Sequence, residues 1–283
     1  MGGVSPVDLN PARDDPGRVT LGSTLSRDLR EAVPRGELTA VYQPQFDLAT
    51  GTVVSLETLC RWDHPRHGLL RPDAFIELAE REGLIADLGA AMLDLGGREL
   101  QRWRREGREI ELAVNASPSE IVDGFAARVI ERVASLGLPR GALTVEITES
   151  PPLTVLPVVL EALRALDASG VAVSIDDFGS GNTSLTLLDR LTLSEVKIDR
   201  SLIQHESRSS DAQIEACLEL AAERGWRVVA EGIETPAQLE RARRFGFHRA
   251  QGYLLGMPMT ADEIDALFAE GGTIPDSAVG EPG

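Results

Sequence analysis

From residue 38 onward, two patterns of apolar positions take turns along the chain. Short runs rich in β-branched and apolar residues predict strands at Leu38–Asp47, 52–62, Glu111–Ala116, 143–148, 171–175, Glu195–Ile198, Arg227–Ala230 and 250–254. The first two are separated by Leu48-Ala49-Thr50-Gly51, a hairpin signal. Helices are predicted wherever apolar residues recur three and four apart, as at Ile85, Leu88, Met92 and Leu95. One begins near Pro72, a favourable first-turn residue, and covers 74–82. Others are expected at 119–136, 154–169, 184–190, 209–224, Pro236–Phe245 and Ala261–Ala269. Ile214, Leu218 and Leu220 are expected to face the core.

Strands separated by helices imply parallel pairing through right-handed crossovers. Six such strands and the opening pair make eight, the number of a closed barrel. The expected fold is α/β, a modified (β/α)8 TIM-type barrel with one antiparallel strand pair at its start. Periodicity alone leaves an open doubly wound sheet as the competing architecture. Residues 1–20 and 271–283 mix Pro, Gly, Asp and other polar residues without period. They are expected to be a disordered lead and tail around one domain at 21–270.

Composition narrows the picture. The chain has 283 residues, 42% of them hydrophobic, which suffices for one sizeable core. Its 45 acidic residues against 28 basic ones give a charge of −17. That balance excludes the basic face expected of a binder of polymeric nucleic acid. A phosphorylated small molecule remains possible where bound cations invert the local field. Cys60 and Cys217 sit in apolar patterns and read as buried free thiols, consistent with a reducing compartment. No stretch approaches the roughly 18 apolar residues of a spanning helix, and no signal-peptide pattern opens the chain. The expectation is a cytoplasmic protein with no membrane association.

The chemistry lies at the strand ends. Glu57 lies in the second strand and Asn115 ends the third; Glu146 and Glu149 end the fourth. Asp176 and Asp177 end the fifth, Lys197 and Asp199 the sixth, and Glu231 and Glu234 the seventh; Gln251 begins the eighth. A single acid after a strand is ordinarily a helix cap or a solvated turn residue. Here successive strands deliver carboxylates, an amide and a lysine to the rim where barrel active sites form. Crowded carboxylates repel unless protonated or bridged by cations. Oxygen ligands with one amide suit Mg²⁺ or Mn²⁺ rather than zinc, and paired ions of this kind catalyse in-line attack on phosphorus. The residues by themselves thus reach a metal-assisted phosphoryl hydrolase.

Tyr42-Gln43-Pro44, Glu57-Thr58-Leu59 with Arg61-Trp62, and His64-Pro65 resemble the opening of EAL domains. So do Glu146-Ile147-Thr148-Glu149-Ser150, Asp176-Asp177-Phe178-Gly179, Lys197-Ile198-Asp199, Ala230-Glu231-Gly232-Ile233-Glu234 and Gln251-Gly252-Tyr253. The resemblance covers about residues 41–268. It implies hydrolysis of the bacterial messenger cyclic di-GMP to linear pGpG, with two Mg²⁺ or Mn²⁺ ions and inhibition by Ca²⁺. Glu57, Asn115, Glu146 and Asp176 would hold the first ion. Asp176 would bridge to the second, held also by Asp177 and Glu231. Lys197 would contact the attacking water. Gln43, Leu59, Arg61 and Gln251 would meet the nucleotide, Arg61 through a phosphate, and Glu234 would help order the site. Glu149 would brace the loop after Asp176, Asp199 would stand behind the ligands, and a homodimer is possible.

Two positions depart from the family pattern. Thr58 replaces the alanine of the signature; because it alternates with Glu57, it should face away from the ions. Asn182 and Thr183 stand where the family more often has Tyr and Ser, in a loop that couples metal binding to dimerisation. A non-catalytic cyclic di-GMP receptor and a protein-interaction barrel are the alternative functions, and loss of a ligand or of the lysine would mark them. His64 and His67 fit a proline-containing loop better than a metal pair. Gly179-Ser180-Gly181 lacks a full phosphate-loop motif and reads as a loop, and Arg102-Trp103-Arg104-Arg105 reads as a solvated helix end.

Overall fold

The structure is a computed structural model that describes residues 16–148, 156–181 and 183–278. Helix α1 (Pro16–Arg35) leads into β1 (Leu38–Asp47) and β2 (Val53–His64), with a short β3 (Gly68–Leu70) folded back on β2. Helices α2 (Ile76–Arg81) and α3 (Ile85–Arg105) follow, then β4 (Glu111–Ala116), α4 (Phe125–Ser135), β5 (Leu143–Ile147), α5 (Pro157–Ser169) and β6 (Ala172–Phe178). The chain continues through α6 (Leu185–Leu188), β7 (Glu195–Ile198), α7 (Arg200–Gln204), α8 (Arg208–Arg224), β8 (Arg227–Ala230), α9 (Pro236–Phe245), β9 (Arg249–Ala250) and α10 (Ala261–Ala269).

The sheet runs β1-β9-β8-β7-β6-β5-β4-β2-β3, and β1 also pairs with β2. That last pairing closes eight strands into a barrel and leaves β3 outside it, so the open sheet is excluded. β1 is antiparallel to both neighbours, β2 and β9, while the remaining barrel pairs are parallel. The reversal is set at the predicted hairpin. There Asp47 Oδ1 accepts from the Ala49 and Thr50 amides, and Gly51 takes φ +71.

Strand alternation sorts the side chains into two zones. Leu112, Val114, Leu143, Val145, Ile147, Val173, Ile175, Val196, Ile198 and Val228 are buried in the main apolar cluster between barrel and helices. Their alternate neighbours point into the lumen and are mostly polar. Near the strand starts, Arg249 makes a two-point contact with Glu111 (2.9 and 3.0 Å), and Arg227 Nε donates to Glu195 at 3.0 Å. These residues come from β9, β4, β8 and β7, and meet only through the barrel's interior. A smaller apolar cluster joins Leu29 and Ala32 of α1 to Trp62, Phe75, Leu78 and Met92.

Several elements of the structure depart from the pattern expected of the sequence. Helix α1 begins at Pro16, inside the segment expected to be disordered. Residues 271–278 pack on the domain: Val53 N donates to Gly272 O and Ile274 N to Gly51 O, both at 2.8 Å, and Ile274 and Ala278 are buried. The helix expected at 119–136 is divided, because Ser117 and Glu120 form a reciprocal cap on a 3-10 turn and Gly124 at φ +84 breaks the path before α4. β9 stops at Ala250 rather than 254. The segments β3 and α7 had no strong pattern and were not expected. In the arginine-rich end of α3, Trp103 is fully buried and its Nε1 donates to Asp265 Oδ1 at 2.7 Å, tying α3 to α10. Cys60 and Cys217 are buried and unpaired, as expected.

Candidate active site

Parallel strands β2, β4, β5, β6 and β7 deliver Glu57, Asn115, Glu146, Asp176 and Lys197 to one end of the lumen, and Glu231 and Gln251 follow β8 and β9. The fully buried Lys197 is the hub. Its Nζ lies 2.8 Å from Glu231, 3.0 Å from Asp176, 3.2 Å from Glu146 and 3.4 Å from Glu57. Glu57 is also held by Asn115 Nδ2 at 2.9 Å and Gln251 Nε2 at 2.6 Å.

Adjacent residues of a strand face opposite ways, so Asp176 and Asp177 should not serve one site. The β6–β7 register shifts between Ile175 and Phe178, and Asp177 takes φ +58, the one non-glycine positive φ among the described residues. This bulge brings both acids to the same place. Glu57, Glu146 and Asp176 offer oxygens within 4.8 Å of one another, and so do Asp176, Asp177 and Glu231. Asp176 belongs to both groups.

The crowding of the carboxylates shows in their proton affinities. Burial works against the charge of Lys197, yet Asp176, Glu146, Glu231 and Glu57 hold its ammonium well above the ordinary lysine value. Burial would raise Glu57, but Lys197 and the bonds from Asn115 and Gln251 hold it below the ordinary carboxyl value. Glu146 is pushed well up by burial, with repulsion from Glu57 and Asp176 outweighing part of the Lys197 attraction. Glu231 is raised by burial and by Asp176. Asp177 is pushed to about 7 by burial and then by Asp176. Five carboxylates around one ammonium leave four negative charges when all are ionised, which two divalent cations neutralise. Glu146 Oε1 is buried without a hydrogen-bond partner, as a ligand atom awaiting a cation would be. The donor set therefore fits paired hard ions.

Two cavities open beside the cluster. One of about 420 Å³ is lined by Glu57, Leu59, Glu231, Glu234, Gln251 and Tyr253, the last 57% exposed at its mouth. The other, about 570 Å³, shares Leu59 and Asp177 and runs under α2 and α3 past Ile76, Glu80 and Met92. In it Ser117 Oγ donates to Glu80 at 2.8 Å, and burial pushes the neighbouring Glu120 up to about 7. Sequence reasoning did not single out Glu80 or Glu120. The Ser117-x-x-Glu120 cap signature was legible, but nothing local placed it beside the ligands.

The remaining expected residues fall as follows. Arg61 shares the Glu57 and Leu59 face of β2, is half-buried, and donates to Cys60 O at 2.8 Å. Asp199 caps α7 by accepting from Ser201 N at 2.9 Å and lines the same cavity as Asp177 and Glu231. Glu234 lies exposed on the cavity rim, and its backbone N–H bonds to Gln238 at the start of α9. Glu149 and Asn182 lie outside the described residues. Thr58 faces outward as expected, packed against Gly96 of α3. His64 is buried, with Nε2 3.2 Å from Asp28 and Nδ1 accepting from the Arg66 amide, which accounts for it as a loop residue. Gln43 and Gln251 are buried and bonded to each other.

The EAL domain family profile matches residues 26–258. The chain is 39% identical over 249 residues to a bifunctional diguanylate cyclase/cyclic di-GMP phosphodiesterase, MucR of Pseudomonas aeruginosa; the match covers 87% of this chain and 36% of the relative. It thus spans about a third of that relative's length. An uncharacterised protein of Mycobacterium bovis is 36% identical, with 89% of this chain and 85% of the relative covered. Among solved structures, the PaMucR phosphodiesterase in complex with c-di-GMP aligns at TM-score 0.79 and 38% identity, covering 85% of this chain and 99% of that one.

Proposed function

The chain belongs to the EAL domain family, and from that premise we propose that it is a phosphodiesterase opening cyclic di-GMP to linear pGpG with two Mg²⁺ or Mn²⁺ ions. The observation that carries the reading is the pair of carboxylate groups sharing Asp176 around Lys197. Glu57, Asn115, Glu146 and Asp176 would hold one ion, and Asp176, Asp177 and Glu231 the other. When bound, the ions supply positive charge to the phosphoryl oxygens and lower the pKa of water for in-line attack. Lys197 fixes the spacing of the two groups and keeps a positive charge where negative charge builds on phosphorus. Arg61, on the mouth side of Glu57, pairs with a phosphate. The water oxygen bonds to phosphorus as the bond to the 3′ oxygen breaks. The product keeps a 5′ phosphate and gains a 3′ hydroxyl, whose proton balances the one released by water.

A receptor that holds the nucleotide without cleaving it has no need of every ligand in both groups, and here all are present. Turnover of cyclic di-GMP, followed by product analysis, tests the proposal. Chelation should abolish it, Mg²⁺ or Mn²⁺ should restore it, and Ca²⁺, with its looser coordination geometry, should inhibit. Full turnover after chelation would sink the metal reading, and binding without any linear product would favour the receptor.

A further inference from the structure

Gln43 and Gln251, expected to meet the nucleotide, line the cavity of about 420 Å³, and their amides are also engaged in a directional chain. Gln43 Nε2 donates to Gly256 O at 3.1 Å. Gln251 Nε2 donates to Gln43 Oε1 at 3.2 Å and to Glu57 Oε2 at 2.6 Å. The direction is forced. A backbone carbonyl and an ionised carboxylate only accept, so Gln43 turns its nitrogen to Gly256 and its oxygen to Gln251. Gln251 must then present its nitrogen to both partners. Its Oε1 is left buried and without a hydrogen-bond partner, beside the ligand layer.

The far end of the chain is anchored on backbone. A Cβ on Gly256 would meet Pro44 Cγ at 2.5 Å, so this segment lies hard against β1. Tyr42 and Met259 exchange backbone bonds of 2.7 and 2.9 Å, which hold the same segment in place. Gln43 sits between this fixed point and Glu57.

We infer that Gln43 is a positioning residue for the Glu57 carboxylate, acting through Gln251. It fixes the rotation of Glu57 toward a cation and aims Gln251 Oε1 at the site as an acceptor for a donor group of the bound species, a cation-bound water or a hydroxyl. The inference rests on the reading of Glu57 as a metal ligand. Partners standing behind metal ligands commonly change affinity for the ion by about 10-fold or more when removed.

The test uses the full chain carrying Gln43→Met, which keeps the length of the side chain and removes both of its hydrogen bonds. Calorimetric titration with Mn²⁺ alone should show affinity weakened about 10-fold. Melting in chelator should change little, and KM for cyclic di-GMP at saturating Mn²⁺ should stay near the native value. Unchanged Mn²⁺ affinity with a raised KM would overturn the inference and make Gln43 a direct nucleotide contact. Unchanged values of both would remove any positioning role. If Gln43→Met does not fold, Gln43→Leu carries the same test, since it also removes both hydrogen bonds and adds no charge. Native protein that binds no Mn²⁺ would sink the metal reading itself, whereas native binding with an unaltered variant sinks only the role of Gln43.

Discussion

Along β5, Leu143, Val145 and Ile147 face the helices, while Thr144 and Glu146 face the inside of the barrel. The same one-residue offset divides β6 into Val173 and Ile175 against Ser174 and Asp176, and β7 into Val196 and Ile198 against Glu195 and Lys197. The shell outside the barrel is thus apolar and close-packed, whereas the lumen carries ion pairs at one end and crowded carboxylates at the other. Barrel interiors of this class are more commonly filled by layers of branched apolar side chains. Here the shell supplies the stability, and the lumen holds groups that burial disfavours. The difference teaches that one strand set serves two opposed tasks, and that substitutions one residue apart should separate them.

The largest separation is expected at Asp176. Asp176→Asn should lower turnover by at least 1,000-fold, roughly 4 kcal/mol in the barrier, because the amide cannot neutralise two ions. It should melt no lower than the native protein in chelator, since it also removes one of the crowded charges. Unimpaired turnover would show that Asp176 bridges nothing. The opposite profile is expected one strand away. Ile147→Ala in the shell should cost about 2–5 kcal/mol of stability in denaturant titration while leaving kcat of the folded fraction near native. A kcat loss matching that of Asp176→Asn would dissolve the distinction between the two zones.

A smaller effect concerns pH. In the metal-free protein the Asp177 carboxyl is raised to about 7, so the folded state holds a proton that the unfolded chain releases near its ordinary value. Its contribution is therefore present below about 4 and is lost as pH rises toward 7. Thermal melts in chelator should show this decline as a difference between the native protein and Asp177→Asn. Identical pH profiles would mean that Asp177 titrates normally. The smallest effect is expected at Thr58, whose hydroxyl is buried without a partner on the shell side. Thr58→Ala should change kcat less than about 3-fold. A change beyond about 10-fold, some 1.4 kcal/mol, would mean that Thr58 displaces Glu57. A Cβ on Gly96 would lie 2.8 Å from Thr58 Oγ1, so Gly96→Ala should be better tolerated beside Thr58→Ala than alone.

Much of this was legible because strand periodicity and strand-end chemistry are local. Glu195–Ile198, Arg227–Ala230, Pro236–Phe245 and Ala261–Ala269 coincide with elements of the structure, and so does the reversed opening hairpin. The cluster itself followed from topology, since parallel strands must deliver their ends to one rim. What escaped depends on distant partners. The left-handed turn at Asp177 follows from a register shift against β7, and no property of two adjacent acids announces it. The engagement of Gln43 depends on Gly256, 213 residues away. Helix α1 was missed because its first turns carry Pro16 and Gly17 and its apolar stripe, Leu25, Leu29, Ala32 and Val33, is short; its partners Trp62, Phe75 and Met92 lie far along the chain.

Because β1 runs against the other strands of the barrel, its first residue, Leu38, lies opposite Trp62, beyond Glu57 at the mouth end of β2. In an all-parallel barrel the chain would enter from the far side. Here α1 hands over to the barrel at the end where the carboxylates gather, and the junction is held by Asp28 to His64, Arg30 to Glu82 and, just after the helix, Glu37 to the Trp62 indole. Trp62 is the immediate neighbour of Arg61. The α1 handover and the strand end that carries Arg61 and Glu57 are therefore neighbours in the fold, joined through Trp62 and the small apolar cluster around it. A single strand laid backwards thus brings the chain into the barrel at the end where the carboxylates gather.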